Sequence, residues 1–424
     1  MKPINNQPSL KPSLSLLDAT AINIGAIIGA GIFVVTGIAA GLAGAAVLVS
    51  LILAAVVSLF TALSFAELSA ALPREGGSYE FAYELVSPLA GFTAGWMWLI
   101  SNIFVGPVLA LGFSQYLATL LPGIPIKLTA IAIIAFFALI NTLGAKSSAN
   151  INNVLVGVKL LILGAFIAFG APHISSANLE PFRPFEPGVL YGAYFIFFAF
   201  TGFARVTLLS EEVQNPKKNV PRSIMLALLI STIVYLAVAF VAVGLVGADK
   251  LKDSVSPLAT AISIIGVAAA SQVVSIGGLV ATASVLLTTI LGVSRLGYSM
   301  ARKNELPRVL GKLHRRFDTP YFGILISSVL MMLLAFVSTL SQIVAVSTLA
   351  SLVYYGIGNL SALKLNARSR LYPRAIPLLG VISCAAFALF VLFRRPEVWL
   401  IGGAVLAVGL VYHRLQQKRN SESG

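Results

Sequence analysis

Three glycines in seven residues, Gly25, Gly29 and Gly31, interrupt a long apolar run, Gly25-Ala26-Ile27-Ile28-Gly29-Ala30-Gly31-Ile32-Phe33. Each glycine costs a helix roughly 1 kcal/mol relative to alanine. In hydrocarbon an opened helix also strands N–H and C=O groups, which is tolerated only where the backbone is buried in protein or lines a polar cavity. Two readings fit this stretch: a helix broken to form a binding site, or a glycine-rich face for close helix packing. A broken helix offers specific chemistry. The amides of Gly29, Ala30 and Gly31 would open the outer half-helix, at the positive end of its dipole, and suit a carboxylate. The carbonyl of Ile27 would close the inner half and suit an ammonium.

A second stretch, Phe195-Ile196-Phe197-Phe198-Ala199-Phe200-Thr201-Gly202-Phe203-Ala204-Arg205, matters by position. Ala199 to Gly202 lie roughly 18–21 Å into their span, and the first glycine cluster begins roughly 15 Å into its own. Both depths fall near the middle of a core about 30 Å thick. The two spans lie five helices apart, so a repeat of five would enter the membrane inverted. Paired interruptions in two inverted halves point to a secondary-transporter site. The carbonyls of Phe198 and Thr201 join Ile27 as ammonium partners, and Gly202 permits close backbone approach. A zwitterion with both charges on one carbon fits such a pair.

Lys159 is the ionisable side chain nearest a bilayer midplane, roughly 14 Å into its span. A charged lysine there costs at least about 2.5–3.5 kcal/mol unless paired. Burial penalises the charged form, so such an amine can exchange its proton during a transport cycle. The alternative is a static amine held by carbonyls. Asn102, beside Pro107, is placed either to touch substrate or to bond a neighbouring helix. Among Phe198, Phe200 and Phe203, most pack; Phe203 is taken as the gate. Arg205 is expected to reach inward, towards Glu211 or Glu212, with contact to substrate as the alternative.

The elements that position these residues follow from composition. The chain is 58% hydrophobic and 10% charged over 424 residues, against about 25% charged in soluble proteins. Its mean hydropathy of +0.93 fits a polytopic all-α integral membrane protein. A net charge of +14 would suit nucleic acid, but the bases sit in short loops between apolar runs, so the lipid bilayer is the expected partner and nucleic acid is not. One cysteine, Cys384, excludes a disulfide framework. No HExxH, P-loop or nucleophile elbow is present, so neither an enzyme nor an ATP-driven pump is expected, and neither a cofactor nor a metal.

Twelve spans of about 20 residues are expected, near 15–39, 45–68, 90–119, 125–142, 150–171, 188–209, 222–246, 272–300, 322–338, 340–363, 375–393 and 398–414. Leu258 to Ala270 is read as an outer-face or re-entrant helix. Residues 1–14 form a cytoplasmic tail, 15–171 a first repeat of five helices, 188–363 a second, 375–414 two peripheral helices, and 415–424 a C-terminal tail. With both termini inside, 22 of the 29 Lys and Arg fall on the inner side and 6 on the outer, as the positive-inside rule requires.

With these residues in hand, the chain resembles the amino acid–polyamine–organocation superfamily of permeases along nearly its whole length. The matching pieces are GAIIGAGIF (25–33), PREGGSY (73–79), FFAFTGFA (197–204), EEVQNPKKNVPR (211–222) and SRLGYSMARKNELP (294–307). The resemblance implies a five-plus-five inverted-repeat core with helices 1 and 6 broken, two peripheral helices and an amino acid substrate. It implies a carboxylate held at Gly29, Ala30 and Gly31, and an amine at Ile27, Phe198 and Thr201. Lys159 resembles the lysine of sodium-independent members, whose amine stands where sodium would, with Gly25 and Ser284 as neighbours. Many relatives carry an acid where this chain has Ala204, which argues against cationic substrates. The expected activity is plasma-membrane uptake of a neutral amino acid by alternating access, coupled to H+. An exchanger without net proton movement is the nearest rival, and a membrane amino acid sensor or a channel are remoter ones. The sequence leaves the oligomeric state open.

Overall fold

The computed structural model describes residues 12–422 except 74–75 and 145–148, with the side chains of 419–422 left aside. Most of the N-terminal tail, Arg74 of the PREGGSY loop and Lys146 therefore lie outside the described residues. Those described form helices α1 (Leu16–Ile27), α2 (Thr36–Ala43), α3 (Val47–Ala71), α4 (Gly77–Leu85), α5 (Pro88–Leu120), α6 (Ile126–Thr142), α7 (Ala149–Gly170) and α8 (Pro187–Phe200). The chain continues through α9 (Pro216–Asp253), α10 (Pro257–Ser263), α11 (Ala268–Arg302), α12 (Tyr321–Val337), α13 (Leu340–Leu363), α14 (Ala375–Arg394) and α15 (Pro396–Glu422). The described residues contain no strand beyond a single bridge between Leu14 and Val213.

Among the described residues nine segments are long and apolar enough to cross a membrane, the first being the 56-residue stretch Leu16–Ala71, which α1, α2 and α3 divide. Two shorter apolar helices, α6 and α12, accompany them. Large apolar side chains face outward on the flanking helices, among them Phe136, Leu161, Leu333, Leu389 and Leu400. A soluble monomer rarely shows such continuous apolar surface, and a bilayer accounts for it. This is a multi-pass helical membrane protein.

Local chemistry sets the ends. Ser15 caps α1 in a reciprocal capping box with Asp18, and Thr339 caps α13 the same way with Gln342. That box makes the α12–α13 connection a tight hairpin. The regular part of α8 stops at Phe200, short of the expected span, and a 3-10 segment runs from Arg205 to Glu212. The next helix begins at Pro216, behind Asn215 in the left-handed region (φ 48°), and not at Pro221. It bends at Gly247 (φ 77°). Leu258–Ala270 is not one helix: α10 ends at Ser263, the chain turns through Gly266 (φ 73°), and α11 starts at Ala268.

The interior is built around the two interrupted helices. Helix α1 packs on α7 and α9, α8 packs on α2 and α3, and α5 bridges α11 and α13. Helices α14 and α15 lie outside this core against α13.

Candidate functional site

Both interruptions are present and they face each other. Helix α1 ends at Ile27, Ile28 is extended (φ −77°, ψ 91°), and the chain resumes as a π-helical turn, Gly31–Val35, before α2. A π turn inside a helix is rare and is common at functional sites. The second break follows Phe200: Thr201 is extended (φ −59°, ψ 133°) and Gly202 has φ +115°. Only glycine adopts that conformation without strain.

The breaks touch through their small residues. A Cβ at Gly31 would come within 2.5 Å of the Ala199 Cα, and one at Gly202 within 2.9 Å of the Ala26 carbonyl oxygen. The glycines thus serve both backbone opening and close approach, the two uses between which sequence alone did not choose. The resumed helix leaves its first amides, from Gly29 to Gly31, without intrahelical acceptors.

The carbonyls are partly engaged. Tyr235 on α9 offers its hydroxyl to the carbonyls of Ile27 (2.8 Å) and Ala199 (3.2 Å). One phenolic proton serves both, so a single side chain spans the two breaks. The Phe198 carbonyl accepts from the Thr201 amide (3.2 Å) and its hydroxyl (2.7 Å). The Gly202 amide donates to the Tyr355 hydroxyl (3.3 Å). Asn23 ties α1 to the far side of the second break, accepting from the Val206 amide at 2.9 Å.

Lys159 on α7 is buried at 1% exposure. Its Nζ donates to the carbonyls of Gly25 (3.1 Å) and Ile28 (2.9 Å). These oxygens belong to the frayed end of α1, where carbonyls lack helical partners. Among the described residues no carboxylate lies within 4 Å of the amine. Ser284 on α11 does not bond it; that hydroxyl donates to Ala281 of its own helix (3.1 Å). A helix-borne serine satisfies itself in this way when no stronger acceptor is in reach.

A cavity of about 60 Å³ lies between the breaks. Ile27, Gly29, Ala30, Gly31, Asn102, Phe198, Thr201 and Gly202 all line it, as expected. It extends past Ser101, Trp98 and Tyr355 to Gly77 and Ser78 at the start of α4 and to Thr207 and Leu208. The opposite end is packed: Tyr116 donates to the Phe33 carbonyl (2.6 Å), and Gly37 lies against Leu251 and Pro257. Three expectations change. Asn102 bonds the Trp98 carbonyl of its own helix (2.9 Å), not a neighbouring one. Phe203 lies outside the cavity wall, stacked on Tyr355 (4.9 Å between centroids) and edge-on to Phe65. Arg205 makes no ion pair with Glu211 or Glu212; it lines the cavity with its guanidinium over the Trp98 ring (5.6 Å). The 3-10 geometry after Gly202 turns this side chain towards α5. The roles of Tyr235 and Asn23 had no mark in the sequence, because each depends on which helix packs opposite.

A model of the family described as amino acid permease matches residues 18–421. The chain belongs to the amino acid permease family. It is 32% identical to the methylthioribose transporter of Bacillus subtilis, over 97% of this chain and 95% of that one. It is 30% identical to the branched-chain amino acid permease BcaP of the same organism, over 98% and 96%. Cationic amino acid transporter 4 of Mus musculus is 32% identical over 84% of this chain and 60% of its own length. A permease of this family is a transporter of small molecules in a membrane, and its chemistry is binding and movement.

Proposed function

We propose that this permease is a secondary active transporter that takes up a neutral amino acid with H+ by alternating access across the plasma membrane. In this reading the chain crosses twelve times, with both termini cytoplasmic, five-plus-five inverted repeats around the paired breaks, and α14 and α15 peripheral. The relatives' names span branched-chain and cationic amino acids and methylthioribose, so the substrate class is argued from this cavity. Among the described residues its lining includes no Asp or Glu, which disfavours a cationic side chain. The amides from Gly29 to Gly31 hold the substrate carboxylate, and the Phe198 and Thr201 carbonyls, with Ile27 beside them, receive its amine.

The observation that carries the reading is the bond pair from Lys159 to Gly25 and Ile28. It fastens a titratable amine directly to the hinge of the broken helix. Protonated, Lys159 donates to both carbonyls and holds α1 against α7. Deprotonated, it holds them weakly, because hydrogen bonds from charged donors are about twice as strong as neutral ones. Proton loss thus frees α1 to move relative to α7, which couples H+ release to exposure of the site. The cavity's extension towards α4 and its packed opposite end support reading this state as the inward-facing half of the cycle.

The test uses purified protein in proteoliposomes. Uptake driven by an inward proton gradient into substrate-free vesicles is expected. Strict dependence on internal amino acid would convert the reading into exchange without net proton movement.

A further inference from the structure

Among the described residues Arg205 is the charged side chain in the cavity wall, and the α-carboxylate and α-amine sites do not use it. It follows Ala204 at the start of the 3-10 segment, on the cavity side of Gly202. Its guanidinium packs on the Trp98 ring, 5.6 Å from the ring centroid. Gly292 of α11 leaves room beside both, since a Cβ there would stand 3.1 Å from Nη1 and 3.3 Å from the Trp98 ring. Tyr354 and Tyr355 of α13 share the same wall. Among the described residues no hydrogen-bond acceptor and no carboxylate engages its five N–H donors. The sequence around it therefore makes room for a fork of donors and leaves that fork aimed at the cavity.

A substrate whose backbone atoms sit at the two breaks has its side chain in the remaining space, lined by Trp98, Ser101, Asn102, Arg205 and Tyr355. We propose that Arg205 is the residue that reads the substrate side chain, and that it selects a planar acceptor there: the amide of asparagine or glutamine, or the carboxylate of the corresponding acids. The inference rests on the breaks being the amino acid site. A planar guanidinium donates two parallel hydrogen bonds to a carboxylate, and to an amide it donates only at the carbonyl oxygen. An aliphatic side chain would leave the half-buried fork without acceptors, and a cationic one would be repelled. Within the neutral amino acids this singles out the two amides; the acids share the chemistry and form a separate arm of the test.

Full-length protein in proteoliposomes is assayed by uptake of labelled glutamine and of labelled glutamate, each in competition with the twenty amino acids. Asparagine and glutamine, or aspartate and glutamate, are expected to compete at concentrations at least ten-fold below leucine and valine. Arg205→Met should reduce that preference ten-fold or more, and Arg205→Lys should keep part of it. A wild type that prefers leucine or valine overturns the proposal, whether or not the variants fold. So does an unchanged preference in a well-folded Arg205→Met. If no amino acid is taken up by the wild type at all, the transporter reading fails instead, and the two failures are distinct.

Discussion

The two breaks are built differently. The first is rich in glycine, and its carbonyls are claimed from outside: Gly25 and Ile28 by Lys159, Ile27 by Tyr235. The second contains one glycine in the left-handed region, and its Phe198 carbonyl is capped from within by Thr201. The first break is therefore held by neighbours on α7 and α9. The second shares Tyr235 and also meets Tyr355 and Asn23, but caps its Phe198 carbonyl from within. In the proposed cycle the first break changes with the protonation of Lys159, and the second is the wall against which it works.

This difference can be broken at several points. The largest effect is expected at the contact between the breaks. Gly31→Val would drive a branched side chain into the Ala199 backbone, and such overpacking costs about 1–3 kcal/mol or more. Uptake should vanish, and melting of the purified protein should fall by several degrees. Gly202→Val combines a positive φ with a clash at the Ala26 carbonyl and should behave alike. Survival of normal uptake in both would show that the breaks do not meet.

Tyr235→Phe comes next. It removes the hydroxyl shared by Ile27 and Ala199, at a cost of about 1 kcal/mol per net hydrogen bond, and should lower uptake several-fold. Thr201→Val should do less, because the Phe198 carbonyl keeps the Thr201 amide. If Thr201→Val proves the more damaging, the assignment of the first break as the mobile one is reversed.

The smallest effect lies away from both breaks, in the loop after α11. Glu305 there accepts from the Tyr79 hydroxyl (2.7 Å), and burial raises its pKa above the usual 4.5. A raised carboxyl binds its proton more tightly in the folded state. Its contribution is thus complete below pH 4.5 and is lost as pH rises through the folded value. Glu305→Gln should flatten that part of the stability curve in a pH series of melting temperatures, with little change in uptake.

Much of this was legible in one dimension. Charge poverty and apolar runs announced the membrane class, and the helices stand close to the expected positions. The Gly25–Gly31 cluster marked the first break because three glycines oppose a helix. The second was visible only through its depth, since Gly202 alone is a weak signal. Lys159 stood out because an amine at that depth needs partners, and Gly25 was one of them; the other, Ile28, replaced Ser284. What stayed hidden depends on opposite faces meeting. Tyr235 is one of twelve tyrosines, and nothing local distinguishes it. Arg205 looked free to reach nearby glutamates until the turn after Gly202 aimed it at Trp98. Phe203 looked like a gate because it is aromatic and close to the break, yet it packs behind Tyr355.

The most direct test of the proton-linked first break is Lys159→Ala in proteoliposomes, comparing gradient-driven uptake with counterflow exchange. We predict at least a ten-fold loss of uptake driven by an inward proton gradient, with substrate binding and counterflow largely kept. Wild-type dependence on the proton gradient in the variant would contradict the assignment of Lys159 as the coupling residue.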